Sequence, residues 1–113
     1  MAGLIPGLSV GGQGCITGLA NLYPKTCVEL FSLFRNGAQE KAEKLQLQLA
    51  VAEWGFAEGG INGTKWVVAK YLGYPEPSSA CRRPYPLFND KARRVWIMEQ
   101  VRKLEGVEAS LSS

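Results

Sequence analysis

The stretch Gly11–Pro24, GGQGCITGLANLYP, constrains this 113-residue chain more than any other. Gly11, Gly12 and Gly14 permit positive φ and close backbone approach. The run Cys15-Ile16-Thr17-Gly18-Leu19-Ala20 that follows is short, uncharged and partly β-branched. It suits a strand buried on both faces of a parallel sheet, although periodicity alone also admits a short helix. Asn21 stops the run, and Pro24 suits the first turn of a helix. Glycine turn, buried strand, polar turn and helix make one βα unit. Everything after Pro24 reads as helix, so the strand finds no sheet partner within the chain. The chain is expected to be mainly α and to be the end of a larger α/β protein.

A glycine-rich phosphate cradle is the rival reading of the same residues. Gly12-Gln-Gly14-Cys-Ile-Thr-Gly18 has one residue too many for G-x-G-x-x-G. Its glycines also precede the strand, where a dinucleotide loop follows it, and no G-x-x-x-x-G-K-[ST] occurs. Nucleotide binding is set aside.

Composition removes further classes. The chain has no histidine, which excludes His-based triads, His metal sites and His proton shuttles. Cys15, Cys27 and Cys81 are widely spaced without a C-x-x-C, so neither a metal site nor a disulfide framework is expected. Reduced thiols are the expectation, and a catalytic thiol has no basic partner. The net charge of +3 is too small to argue for nucleic acid, which needs a concentrated basic face. No apolar run approaches membrane-spanning length and no signal peptide is visible. A cytoplasmic protein with no membrane, nucleic-acid or cofactor partner is the expectation.

In chain order, Pro6 and Gly7 argue against a stable helix over Leu4–Val10. Lys25–Arg35 reads as a helix with a stripe of Val28, Phe31 and Phe34, closed by Asn36-Gly37. From Ala38 to Glu58 a longer helix sets Glu40, Lys41, Glu43 and Lys44 toward water. Its inner face carries Ala42, Leu45, Leu49, Ala52 and Phe56, while Trp54 suits either core or interface. Gly59-Gly60 and Asn62-Gly63 break it before a helix over Thr64–Leu72. Four prolines make Tyr74–Phe88 an irregular linker. Asn89 or Asp90 caps a last helix to about Glu105, with Val95, Ile97, Met98, Val101 and Leu104 on its buried side. Gly106 is expected to end it, followed by a frayed tail. The helices should form a compact bundle around Leu45, Leu49, Val67, Ile97, Val101 and Leu104.

Six residues carry a resemblance. Gly12, Gly14, Ile16, Thr17, Ala20 and Asn21 fit the pattern G-x-G-x-I-(S/T)-x-x-A-N, which resembles the last barrel strand of the dihydrodipicolinate synthase / N-acetylneuraminate lyase superfamily. Asn36-Gly37, the helix with Ala42, Leu45 and Leu49, Lys65, and Leu72-Gly73-Tyr74 follow at family-like spacing. Cys81-Arg82-Arg83-Pro84 is similar to the C-R-x-P-L segment of the 4-hydroxy-2-oxoglutarate aldolase branch, with Tyr85 in place of Leu. The resemblance runs from about Leu4 to about Leu104.

The resemblance implies a (β/α)8 barrel followed by a helical C-terminal region. Residues 1–37 would be the end of the barrel, with the last strand at 14–20 and the last barrel helix at 24–36. Residues 38–113 would be the C-terminal region. It also implies class I aldolase chemistry, in which a lysine forms a Schiff base with pyruvate or another 2-oxo acid. The lysine, the proton-relaying tyrosine and the carboxylate-binding Thr/Ser pair belong to earlier strands. No catalytic residue is therefore assigned here, and the piece is expected to be inactive alone. Lys65 reads as an exposed helical lysine whose stem covers apolar surface.

What this chain can offer a barrel mouth is the end of its one strand: Gly18, Leu19, Ala20 and Asn21 as pocket-lining positions. For Asn21, a turn residue bonding its own backbone is the plainer reading. Arg82 and Pro84 are given structural parts in the linker. A 2-oxo acid would be the substrate of the parent enzyme only, cytoplasmic or mitochondrial. The piece would self-associate or join the missing barrel. A stand-alone helical interaction module is the alternative.

Overall fold

Helix α3 (Gln39–Leu72) is the longest element of the computed structural model, which describes residues 3–84, 86 and 88–111. Before it come α1 (Leu4–Ser9), a 3₁₀ turn at Gly18–Asn21 and α2 (Pro24–Arg35). After it come a 3₁₀ turn at Glu76–Ser79, α4 (Lys91–Arg102) and α5 (Glu105–Ser110). Helices α1, α2 and α4 and both 3₁₀ turns touch α3, while α5 docks on α2.

The hydrogen-bonded run of α3 crosses one residue that is not helical. Gly60 sits at φ 62° and ψ −157°, a region essentially reserved for glycine. The expected two helices are therefore one run broken at Gly60. At the far end Gly73, at φ 78°, closes α3, and the amide of Tyr74 donates to the Ala69 carbonyl at 2.8 Å.

Three glycines at four-residue intervals, Gly55, Gly59 and Gly63, form a bare stripe on α3. A Cβ on Gly55 would stand 3.4 Å from the Ile97 carbonyl oxygen, and one on Gly59 3.0 Å from Ile97 Cδ1. A Cβ on Gly63 would stand 3.5 Å from the Phe88 ring. Rising residue numbers on α3 thus meet falling numbers from α4 to Phe88, and the two helices run antiparallel. Above the stripe, the Phe88 ring tilts against Trp66 at 6.0 Å.

Around this contact lies the core. Leu45, Leu49, Val67, Ile97, Val101 and Leu104 are all buried, as their helical periodicity predicts. Full burial of one such side chain is worth about 1.5–3 kcal/mol. Ala42, Ala52 and Phe56 complete the inner face of α3, and Trp54 stays exposed.

Polar anchors fix the shorter elements. The Ile5 amide donates to Gln46 Oε1 at 3.0 Å, which ties α1 to α3. Tyr23, wholly buried, donates its hydroxyl to the Val101 carbonyl at 2.8 Å and meets Tyr71 edge-on at 5.6 Å. Burial raises the Tyr23 phenol far above its usual range, so it stays a neutral donor. Helix α2 has no side-chain cap of its own. Glu108 of α5 serves instead: its carboxylate accepts from the Lys25 amide at 3.2 Å, the Thr26 amide at 2.8 Å and Thr26 Oγ1 at 2.9 Å.

The structure corrects several expectations. Among the described residues there is no strand. The segment expected as strand, 14–20, is irregular up to Thr17 and then turns into the 3₁₀ segment. A strand satisfies its backbone through a neighbour's ladder, and the described residues supply none. Helix α1 does form, because Pro6 falls in its first turn, where an amide lacks a helical partner anyway. Val95 is 61% exposed rather than buried. Gly106 lies inside α5, which continues because Glu108 and Val107 have partners to reach.

Replacing Gly60 by Ala should cost about 1–3 kcal/mol of folding stability, although no atom lies within 4 Å of the new methyl. Gly63→Ala adds only ordinary contact with Phe88 and a better helix former, so it should stay within about 1 kcal/mol of the parent. Urea unfolding of the two variants checks the contrast; equal effects would contradict it.

Candidate functional site

The four pocket-lining candidates form one 3₁₀ turn with an extended residue before it. Thr17, at φ −148° and ψ 140°, accepts from the Leu19 amide at 3.2 Å. Its hydroxyl also donates to Glu53 Oε1 at 2.9 Å, which fixes the turn to α3. A Cβ on Gly18 would stand 3.3 Å from Thr64 Cγ2, so a small residue there allows the close approach. Leu19 points inward and is fully buried. In this chain it belongs to the core.

Ala20 and Asn21 face different grooves. Ala20 borders a cleft of about 260 Å³ with Leu4, Cys15, Cys27, Val28 and Phe31. Asn21 borders one of about 370 Å³ with Thr64, Lys65, Val68, Tyr74 and Ser78. The Asn21 side-chain amide donates to its own turn, at the Gly18 carbonyl, over 2.9 Å. In this chain Asn21 is thus a turn residue. The four positions share one turn and do not converge on one pocket.

The linker expectations fall on Arg82 and Pro84, both exposed; Pro84 follows a cis peptide bond. Tyr85, the departure from the C-R-x-P-L pattern, lies outside the described residues. The ties that hold the linker come from the helices. Lys65 Nζ donates to the Ala80 carbonyl at 2.9 Å, and Asn62 Nδ2 to the Pro86 carbonyl at 2.9 Å. Arg94 is the central tie. Its Nε donates to the Phe88 carbonyl at 2.8 Å, and its Nη2 reaches the same carbonyl and Glu76 Oε1, the latter at 2.8 Å. Its guanidinium lies 4.8 Å over the Trp66 ring. Sequence reasoning gave the planar donor fork to Arg82; nothing local marks Arg94, which is one of several cations on α4.

Among the described residues no catalytic constellation stands out. The seven lysines, Lys25, Lys41, Lys44, Lys65, Lys70, Lys91 and Lys103, are all exposed. None lies in a buried pocket of the kind an imine-forming lysine occupies. Among the described residues no group of three or more potential ligands could hold a metal. No described helix is long and apolar enough to cross a membrane.

Known proteins resemble this chain over nearly its full length. The profile of the Dihydrodipicolinate synthetase family matches residues 2–101. An L-threo-3-deoxy-hexylosonate aldolase of Hypocrea jecorina is 36% identical over 101 residues, covering 89% of this chain and 31% of that protein. A protein of Emericella nidulans described as "Probable 4-hydroxy-2-oxoglutarate aldolase, mitochondrial" is 39% identical over 75 residues, covering 66% of this chain and 24% of that protein. A crystal structure of a dihydrodipicolinate synthase family protein from Coccidioides immitis superposes with a TM-score of 0.81 at 32% identity. That match covers 99% of this chain and 38% of the other. The chain therefore spans well under half the length of each of these relatives.

The two thiols at the Ala20 cleft should differ in reactivity. Cys15 is exposed, whereas burial pushes the Cys27 thiol up to about 11 and leaves little thiolate at neutral pH. Maleimide at pH 8, followed by peptide mass analysis, should label Cys15 well before Cys27; the reverse order would contradict the placement of α2.

Proposed function

The chain belongs to the dihydrodipicolinate synthetase family, and from that premise we propose that it is the C-terminal portion of a class I aldolase or lyase. Residues 1–37 would close a (β/α)8 barrel, and residues 38–113 would be the helical region that follows. The observation that carries this reading is the match itself: 89% of this chain falls on 31% of an aldolase. In the assembled enzyme, segment 14–20 would take up its strand against neighbouring strands, because the missing ladder partners would then be present. The uncovered state of Ile16, fully exposed here, fits a segment waiting for such a cover.

The reaction proposed for the whole enzyme forms or cleaves a carbon–carbon bond next to pyruvate or a related 2-oxo acid. A lysine amine condenses with the 2-oxo group, and the protonated imine draws off the electron pair of the breaking bond. That lysine would belong to the portion of the fold outside this chain. The part of this chain would be structural: it would close the barrel, and the Thr17–Glu53 contact would brace the segment that ends near the mouth.

A second reading, a stand-alone helical interaction module, is favoured by one feature. Val28 is 65% exposed beside half-buried Phe31 and Phe34, an apolar face on α2 without a cover. The two readings share a consequence, that this face meets either the barrel portion or another copy of the chain.

Incubated with pyruvate and borohydride, the chain should show no adduct by intact mass; a stoichiometric adduct on any lysine would overturn the claim that it is inactive alone. Sedimentation of the same sample should show self-association that Val28→Asp abolishes. A chain that stays monomeric at high concentration would remove the claimed interface.

A further inference from the structure

A second groove lies away from the turn and the cleft described above. It runs between α3 and α4 and encloses about 570 Å³, within the size range of small-molecule sites. Trp66 and Met98, both nearly buried, form its floor, and the exposed Val95 extends it toward solvent. Lys91, Val95, Met98 and Arg102 recur at intervals of three to four residues, so α4 turns one face into the groove. On α3, Lys70 stands one turn beyond Trp66.

Charge around this apolar floor is one-sided. Lys70, Lys91, Arg94 and Arg102 border the groove, opposed by Glu99. Arg94 is engaged, bonded to Glu76 and stacked over Trp66. Helix α4 makes the ion pairs Arg94–Glu76 and Arg93–Asp90, and among the described residues Lys70, Lys91 and Arg102 enter no such pair. Three unpaired cations on the rim of an apolar trough built around an indole match one ligand shape: an anionic head on an apolar body. A neutral apolar ligand would leave the cations unused, and a small hydrated anion would leave the floor unused.

We propose that the groove between Trp66 and α4 is a binding site for a small organic monoanion with an apolar tail, of the alkyl or aryl carboxylate class. The tail lies on Trp66, Val95 and Met98, and the carboxylate meets Lys70 and Arg102 or Lys91. The site is independent of the aldolase reading, since no residue of the 3₁₀ turn takes part. Arg94 sets its shape by holding the Trp66 ring, and the other cations give it its sign.

Octanoate is the probe, with 1-octanol and acetate as matched controls. Trp54 and Trp96 are exposed, so Trp54→Phe and Trp96→Phe leave Trp66 as the only indole reporter. Octanoate should change Trp66 emission saturably at concentrations up to about 10 mM, more weakly as salt rises, while octanol and acetate should not. The double variant Lys70→Gln/Arg102→Gln should weaken octanoate binding by about tenfold. Lys41→Gln/Lys44→Gln, on the solvated face of α3, should leave it unchanged. Circular dichroism confirms that each variant is folded. No saturable response to octanoate, equal response to octanol, or unchanged affinity in the Lys70/Arg102 variant overturns the proposal.

Discussion

The structure depends on how closely α4 approaches the backbone of α3. Side chains normally hold two helices apart, at axis separations of about 8–10 Å. Here Gly55, Gly59 and Gly63 remove them from one stripe, and Ile97 and Phe88 fill the space. Ile97, Val101 and Leu104 of the α4 side join Leu49 and Val67 in one buried core. The Val101 carbonyl also meets the Tyr23 hydroxyl, which fixes the start of α2. Glu108 then caps α2 from the far end of the chain. One packing contact thus orders both ends.

Much of this was legible in the sequence, for a physical reason. The inner face of α3, the cap at Asp90 and the six core positions follow from helical periodicity and local capping chemistry, which short-range spacing reveals. Asp90 Oδ1 does accept from the Arg93 amide at 3.1 Å. The glycines were misread in one respect. Gly59-Gly60 and Asn62-Gly63 look like punctuation, yet Gly60 alone leaves helical geometry and Asn62 stays in the helix, donating to Pro86. The other glycines serve a partner dozens of residues away, and no local pattern reports a close approach of that kind. Long-range polar ties such as Thr17–Glu53 and Arg94–Glu76 were invisible for the same reason.

The candidate site divides along the same line. Family-like residues at 12–21 identified the family, because a motif is a local pattern. Their geometry was not legible, because a strand is a property of a pair. Without a neighbour, the segment is an irregular stretch that ends in a capped 3₁₀ turn, and Leu19 joins the core of this chain. Segment 14–20 thus carries a strand-like sequence without a strand, next to helices that share one buried core.

The central claim is that the helices fold as one unit, locked by the α3–α4 contact, while the irregular segment Gly12–Thr17 stays outside it. Native-state amide exchange of the isolated chain tests this most directly. The account predicts that amides of α3 on both sides of Gly60 and those of α4 share the same, highest opening free energy, and that Gly12–Thr17 exchange with little protection. Separate opening of the α3 segment after Gly60, with α4 unprotected, would contradict it.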